Sequence, residues 1–415
     1  MTSVMQETRP ETPRFEPLET GPAGSEPQAE GRRTFDIAYL CFRSPDDMSY
    51  WSSIPYWTVR KLRARGHKVT PYVFDKRLLR APLWPIEKAL SAMGRIWMPE
   101  RSALFAAALR TWIAATLPQD KHDLIFCESS IQAACTPPGK PVFFWTDAEI
   151  DTYLQTYWPA EKRARVVNLK SAMALEQRGF DRASAAFYAS KWAIANVTER
   201  YEVPAEKLVL APFAENMTID ITDEAVQAAA QERGTARCDL LFIGVDWKRK
   251  GGDAALAIAR GLNARGVSST LHVVGCTEFA ENDAPPEVRQ HGFLNKSDPA
   301  ELAKLERLFA DCHFLVLASE AEALGIVLLE ANAHGLPDIA TRVGGIPTAV
   351  EDGVNGLLFD LGSDPDAVAG RVADLMAEPG RYLEMSRASR RRFVEEFSWD
   401  RRVAQFEDVF AQFAG

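Results

Sequence analysis

The sequence predicts an α/β protein made of two doubly wound, Rossmann-like domains that face a central cleft. Three observations carry that expectation. Short β-rich apolar runs alternate with helical patterns along nearly the whole chain. The runs are continuously apolar rather than alternating, which marks parallel strands covered on both faces. The series occurs twice, at roughly equal length, as two doubly wound sheets require. With 415 residues, 47% of them hydrophobic and 25% charged, the chain is long enough for both cores and has an ordinary globular composition.

Residues 1–33 hold five prolines and almost no large apolar side chains. Such a stretch cannot bury enough surface to offset its ordering entropy, so a disordered tail is expected. Residues 34–212 form the first domain. FDIAYLCF, KVTPYVF, DLIFCE, PVFFWTD and AAFYAS are its strands, and WTVRKLRARG, RSALFAAALRTWIAATL and KSAMALEQRGF its helices. The hinge falls near Pro212. Residues 213–395 form the second domain, with strands DLLFIGVD, LHVVGC, HFLVLAS, PDIATRVGG and NGLLF. Its helix GIVLLEANAHG is stopped by Gly335 and Pro337. Residues 396–415 are expected to form a C-terminal helix returning to the first domain.

The formal charge of -9 disfavours a nucleic-acid partner. No apolar run approaches the ~20 residues that span a bilayer, and the N-terminus lacks the apolar core of a signal peptide. Six scattered cysteines without CxxC spacing read as buried thiols, so a cytoplasmic setting is expected and zinc is not. The histidines show no HExxH spacing and no GxGxxG fingerprint is present, which disfavours a metal centre and dinucleotide chemistry.

The chemistry concentrates in three strand-to-helix loops. In EAEALGIVLLEANAHGLP, a polar loop carries Glu322, a helix opens near Gly325, and Glu330 follows eight residues on, a rise of ~12 Å on a helix. That is wider than a glycosidase pair and suits a long ligand whose diphosphate meets the helix start. A solvated acidic loop is the competing reading, but Glu330 is embedded in an apolar run. In DLLFIGVDWKRKGGDAALAIA, Lys248, Arg249 and Lys250 stand at a strand end beside Gly251 and Gly252, a setting for phosphate; an exposed basic turn is the alternative. In TRVGGIPTAV, Gly344 and Gly345 permit a tight turn facing the cleft.

Together these stretches resemble the retaining glycosyltransferases of family 4, which have the GT-B fold. The resemblance is strongest from Asp239 to Phe359. It includes the Glu, seven residues, Glu pattern (Glu322 to Glu330), Lys250–Gly251, GLPDIATRVGGIPTAV, HGFLNK (His291 to Lys296) and FYASKWAIANVTERYEVPAEKLVLAPFAEN with Ser190. It implies a nucleotide-diphospho-sugar donor and a saccharide, lipid-linked or other hydroxyl acceptor. Glu322 and Lys250 would be catalytic, with Lys250 on the donor diphosphate beside the amides of Leu324, Gly325 and Ile326. Glu330 would hold the ribose, Gly344 and Gly345 would shape the sugar pocket, and Phe293 and Leu294 would lie beside the base. No metal and no cofactor are implied. The family's arginine after the strand glycine is replaced by Val245, leaving Lys248 or Arg249 to supply that charge. The family's first glycine-rich loop is replaced by RSPDDMSYWSSIPYW. Asp147, in WTDAEI, stands where many members have a histidine, and with Ser190 it is the candidate on the acceptor side.

Residues 60–112 hold twelve basic residues against three acidic ones, interleaved with tryptophans. This is read as a surface for peripheral contact with an anionic membrane, an ordinary solvated surface being the alternative. The sequence therefore predicts a cytoplasmic, retaining glycosyltransferase, peripheral to the inner face of a membrane. A catalytically dead GT-B-like binding subunit and a sugar-nucleotide epimerase are the competitors.

Overall fold

The structure is a computed structural model that describes residues 33–118, 120–280 and 283–414; the tail expected over residues 1–33 lies almost wholly outside the described residues. The first sheet comprises β1 (Asp36–Cys41), β2 (Lys68–Val73), β3 (Leu124–Cys127), β4 (Val142–Thr146), β5 (Ala185–Tyr188) and β6 (Leu208–Leu210). The second comprises β7 (Leu240–Ile243), β8 (Leu271–Val274), β9 (Val288–Gln290), β10 (Phe314–Leu317), β11 (Asp338–Thr341) and β12 (Gly356–Phe359). Every neighbouring pair is parallel. Strands β3, β4 and β5 are buried or nearly so along their length, which is why their sequences read as unbroken apolar runs.

The strand orders are β2-β1-β3-β4-β5-β6 and β12-β11-β10-β7-β8-β9. Each sheet has six strands where five runs stood out in the sequence. The additions, β6 and β9, are three residues long at the sheet edges, and only Val288 of β9 is buried, so neither leaves an apolar run to read. In each sheet the chain winds outward, then crosses back. The direction reverses between β1 and β3 in the first sheet and between β7 and β10 in the second. Loops leaving the carboxyl ends of strands at such a reversal diverge and open a crevice, where ligands of this architecture bind.

Helix Trp399–Phe413 packs on the first sheet, not the second. It buries Trp399, Val403, Phe406 and Phe410 on one stripe, the spacing expected of a helix with one apolar face. The Phe406 ring lies 4.8 Å from Phe187 and 5.2 Å from Phe126, and Phe410 lies 4.7 Å from Phe143. Gln405 donates to the Leu210 carbonyl (2.9 Å) and the Trp399 indole to that of Glu215 (2.7 Å). Each buried aromatic contributes about 1.5–3 kcal/mol, so this helix is a strong tie between the end of the chain and the first sheet. The six cysteines are buried free thiols.

Candidate functional site

Strands β7 and β10 are neighbours, so the loops after them meet at the reversal of the second sheet. In the first loop, the Asp246 carboxylate accepts the Arg249 backbone N–H (3.0 Å) and the Asp246 carbonyl that of Lys250 (3.1 Å). This closes a turn ending at Gly251, where φ is +77° and a β-carbon would stand 2.0 Å from the Ala318 carbonyl oxygen. Only glycine allows the loop to lie this close to the end of β10. The Glu320 N–H then donates to the Arg249 carbonyl (3.0 Å), joining the two loops. The result is an ion pair between the Lys250 ammonium and the Glu322 carboxylate, with the Arg249 guanidinium 3.5 Å from the same oxygen and the Ser319 hydroxyl donating to it at 3.3 Å. Arg249 thus belongs to the site, whereas Lys248 and Val245 are exposed.

Gly344 and Gly345 buttress this loop from behind. The Gly345 N–H donates to the Glu322 carbonyl (3.0 Å), and a β-carbon at Gly344 would stand 1.9 Å from that oxygen. A β-carbon at Gly345 would meet the Ala323 carbonyl oxygen at 1.7 Å and the Ser190 side chain at 2.8 Å. Backbone packed this tightly has no room for a side chain. Ser190 is fully buried there, its hydroxyl capping helix Lys191–Arg200 by accepting the Ala193 N–H (3.2 Å). Leu324 is buried, and Gly325, in the left-handed region at φ +85°, precedes helix Ile326–Ala333.

Glu330 lies on that helix with 1% exposure. A lone carboxylate so buried would cost several kcal/mol. Lys296, from the loop after β9, supplies the partner. The same loop carries Leu294, buried, and Phe293, a large apolar side chain left 68% exposed. His334 turns away from the Glu330 carboxylate: its Nδ1 lies 2.9 Å from the Glu330 backbone carbonyl, and its ring stacks on Phe309.

The first domain presents Asp147 and Tyr157 to the same loop. Burial holds the half-buried Asp147 carboxyl above the usual carboxylate range, and the charge of Glu322 adds to this, while the Trp51 side chain and the Ala148 N–H oppose it. The Tyr157 hydroxyl accepts the Ala323 N–H (3.0 Å), and burial together with the charges of Glu322 and Asp147 pushes its ionisation up. Trp51, Ser52 and Ser53 have φ of 43°, 52° and 60° and are the non-glycine residues of positive φ among those described. At ~1–3 kcal/mol each, such strain concentrates at functional sites. Beneath them, Glu128 at the end of β3 accepts from the Phe42 N–H (3.1 Å) and the Tyr50 hydroxyl (3.3 Å), and burial pushes its carboxyl up to about 8.

The sequence brings Glu322, Lys250 and Arg249 to one point. It did not single out Tyr157, Trp51, Glu128 or Lys296. A glutamate closing the run DLIFCE and an aromatic after WTDAEI are the signals that were there. Among the described residues, no group of three or more His, Cys, Asp or Glu side chains is placed to hold a metal ion, and no helix is long and apolar enough to cross a membrane.

Residues 237–378, which contain both loops, match the model of the family described as glycosyl transferases group 1. A GDP-mannose-dependent alpha-(1-6)-phosphatidylinositol monomannoside mannosyltransferase of Mycolicibacterium smegmatis is 32% identical over 172 residues, 39% of this chain and 45% of the relative. A D-inositol 3-phosphate glycosyltransferase of Salinispora tropica is 28% identical over 51% of this chain and 40% of its own. The chain thus spans less than half the length of these relatives. Among solved structures, sucrose-phosphate synthase from Thermosynechococcus elongatus superposes with a TM-score of 0.62 at 16% identity, covering 91% of this chain and 98% of that one. Anabaena Alr3699/HepE, in complex with UDP-glucose, gives 0.55 at 16% identity, covering 91% and 100%. Residues 237–378 of the second domain thus match a glycosyl transferases group 1 model, and the two-domain α/β fold that contains them is that of the GT-B glycosyltransferases.

Proposed function

We propose that the protein is a retaining glycosyltransferase of family 4 that transfers a sugar from a nucleotide-diphospho-sugar to a saccharide or lipid-linked hydroxyl without a metal ion. The carrying observation is the pair of cations, Lys250 and Arg249, gathered on Glu322 at the reversal between β7 and β10. An ammonium has three donors, and Glu322 occupies one; the others are offered to the donor diphosphate, alongside the free N–H groups at the start of helix Ile326–Ala333. The exposed ring of Phe293 gives the base a stacking face. Glu330 takes the ribose hydroxyls and Glu322 those of the sugar. As the glycosidic C–O bond breaks, these fixed positive groups stabilise the departing nucleotide. The acceptor hydroxyl enters on the same face, steered by Asp147, and gives its proton to a donor phosphate oxygen.

The reading places the enzyme in the cytoplasm, at a membrane's inner face. Helix Arg80–Ala92 supports this, because it leaves Trp84 51% exposed, with Met93, just past its end, 66% exposed, and the Lys88 ammonium lies 4.6 Å over the Trp84 ring. Exposed aromatics beside cations suit anionic headgroups.

Val245, 71% exposed where the family carries arginine, favours a second reading, a catalytically dead binding subunit. Incubating the purified protein with UDP- and GDP-sugars in excess EDTA separates the two. Donor hydrolysis or transfer that persists in EDTA is expected. Loss of activity that Mg²⁺ restores contradicts metal independence, and donor binding without any turnover favours the dead subunit.

A further inference from the structure

Lys296 has no role in the reading above, yet it occupies a junction. Its ammonium donates to the Glu330 carboxylate and to the Asn216 side-chain oxygen, both at 2.5 Å. Asn216 lies in the segment between β6 and helix Asp223–Arg233, and its amide donates to the carbonyl of Ser52 (3.4 Å), in the middle of the strained Trp51–Ser53 turn. The loop bearing Lys296 is itself fixed. The Asn295 N–H donates to Glu301 (2.5 Å), the Ser297 N–H to the Asn295 side chain (3.0 Å), and Asp298 caps helix Pro299–Asp311. A long, flexible lysine stem is thus launched from a rigid base toward a carboxylate with 1% exposure.

We infer that Lys296 is a positioning residue for nucleotide recognition: it fixes the Glu330 carboxylate in the orientation that accepts the ribose hydroxyls, and through Asn216 it ties that carboxylate to the first domain. The inference rests on the reading of Glu330 as the ribose contact. The physical need is plain. Glu330 is buried on helix Ile326–Ala333 beside the buried Leu329 and Ala331, and an ion-pair partner from another element both compensates the charge and selects one rotamer. A carboxylate that has lost this partner is free to swing or take up a different hydrogen bond, and its contact with the ribose goes with it. Groups that act on a ligand only by holding its direct contact commonly cost 10–100-fold when removed, as outer-shell partners of metal ligands do.

The test compares binding of UDP and GDP with that of their 2′,3′-dideoxy counterparts by calorimetry, in wild type, Lys296→Met, Lys296→Arg and Glu330→Gln. Discrimination between the ribose and dideoxyribose forms reports the hydroxyl contact, and a merely structural role for Lys296 would lower both affinities while leaving their ratio alone. Wild type should prefer the ribose form of its nucleotide by about 10–100-fold, two hydrogen bonds to a charged acceptor being at stake. Glu330→Gln and Lys296→Met should both bring the ratio below about 3, and Lys296→Arg should restore most of it. Should Lys296→Met fail to fold, Asn216→Leu, which removes only the outer link, should still lower the ratio by a few fold. A wild-type ratio retained by Lys296→Met, or by Asn216→Leu in its place, overturns this inference alone. A wild type that does not distinguish the two forms overturns the reading of Glu330 on which it stands.

Discussion

The two sheets reverse direction in the same way, and the crevices at their reversals are built with opposite electrostatics. Between β7 and β10, each buried carboxylate has a cation on it: Lys250 and Arg249 on Glu322, and nearby Lys296 on Glu330. Between β1 and β3, Glu128 faces a tyrosine and a backbone N–H instead, and its carboxyl is pushed up to about 8. The first arrangement keeps a supply of donors ready for an anion. The second keeps an acid in or near its neutral form, the charge of Lys76 being the last and least of the influences that oppose burial. The same topology therefore presents cations at one crevice and a carboxyl held toward its neutral form at the other.

The largest expected effect comes from removing a member of the paired crevice. Glu322→Ala should lower kcat by roughly 100-fold, since its contact strengthens as the glycosidic bond opens. Glu330→Ala should instead weaken binding of the bare nucleoside diphosphate by about 10-fold with less effect on kcat, because a ribose contact is made equally in ground and transition states. Equal affinity loss in both variants would erase the distinction. A smaller effect separates the two basic residues before Lys250. Arg249→Ala should cost several-fold in kcat/KM, because its guanidinium reaches Glu322, whereas the exposed Lys248→Ala should be close to wild type. Steady-state kinetics at saturating acceptor decides between them.

The first-sheet crevice is probed by stability. A carboxyl raised from 4.5 to about 8 on folding leaves the folded state binding more protons than the unfolded state between those pH values. Its contribution to stability is therefore favourable at low pH and is lost as pH rises through that window. Glu215, also raised to about 8 by burial, acts in the same direction. Glu128→Gln should remove the Glu128 share, roughly 1–4 kcal/mol at pH 8.5, so the variant should melt higher than wild type at pH 8.5 and about equally at pH 5. A pH-independent difference between the two would place the Glu128 carboxyl in the ordinary range.

The second-domain crevice was largely legible in the sequence, and the first was not. Glu322, Gly325 and Glu330 lie within one short stretch of nine residues, and Lys250 comes seven residues after the end of β7, so local spacing places each in a loop at a strand end or on one helix. Arg249 and Lys248 could not be told apart by composition; the turn closed by Asp246 and the close approach at Gly251 decide which faces Glu322. Lys296, Asn216 and Ser52 are far apart in sequence and meet only because the connecting segment passes between the domains, and the Tyr157–Ala323 hydrogen bond spans 166 positions. Contacts of that kind depend on how two sheets are set against each other, which hydrophobic periodicity does not encode. The short edge strands β6 and β9 escaped for a simpler reason, having too few buried side chains to leave a pattern.

The central claim is that the second-domain crevice holds a nucleoside diphosphate on Lys250. Calorimetric titration of UDP and GDP into wild type and Lys250→Ala tests it most directly. A charged hydrogen bond to phosphate is worth about 1.5–3 kcal/mol, so one of the two nucleotides should bind wild type and lose about 10–100-fold in affinity for Lys250→Ala. Binding to Lys250→Ala with unchanged affinity, or no binding of either nucleotide to wild type, would contradict the claim.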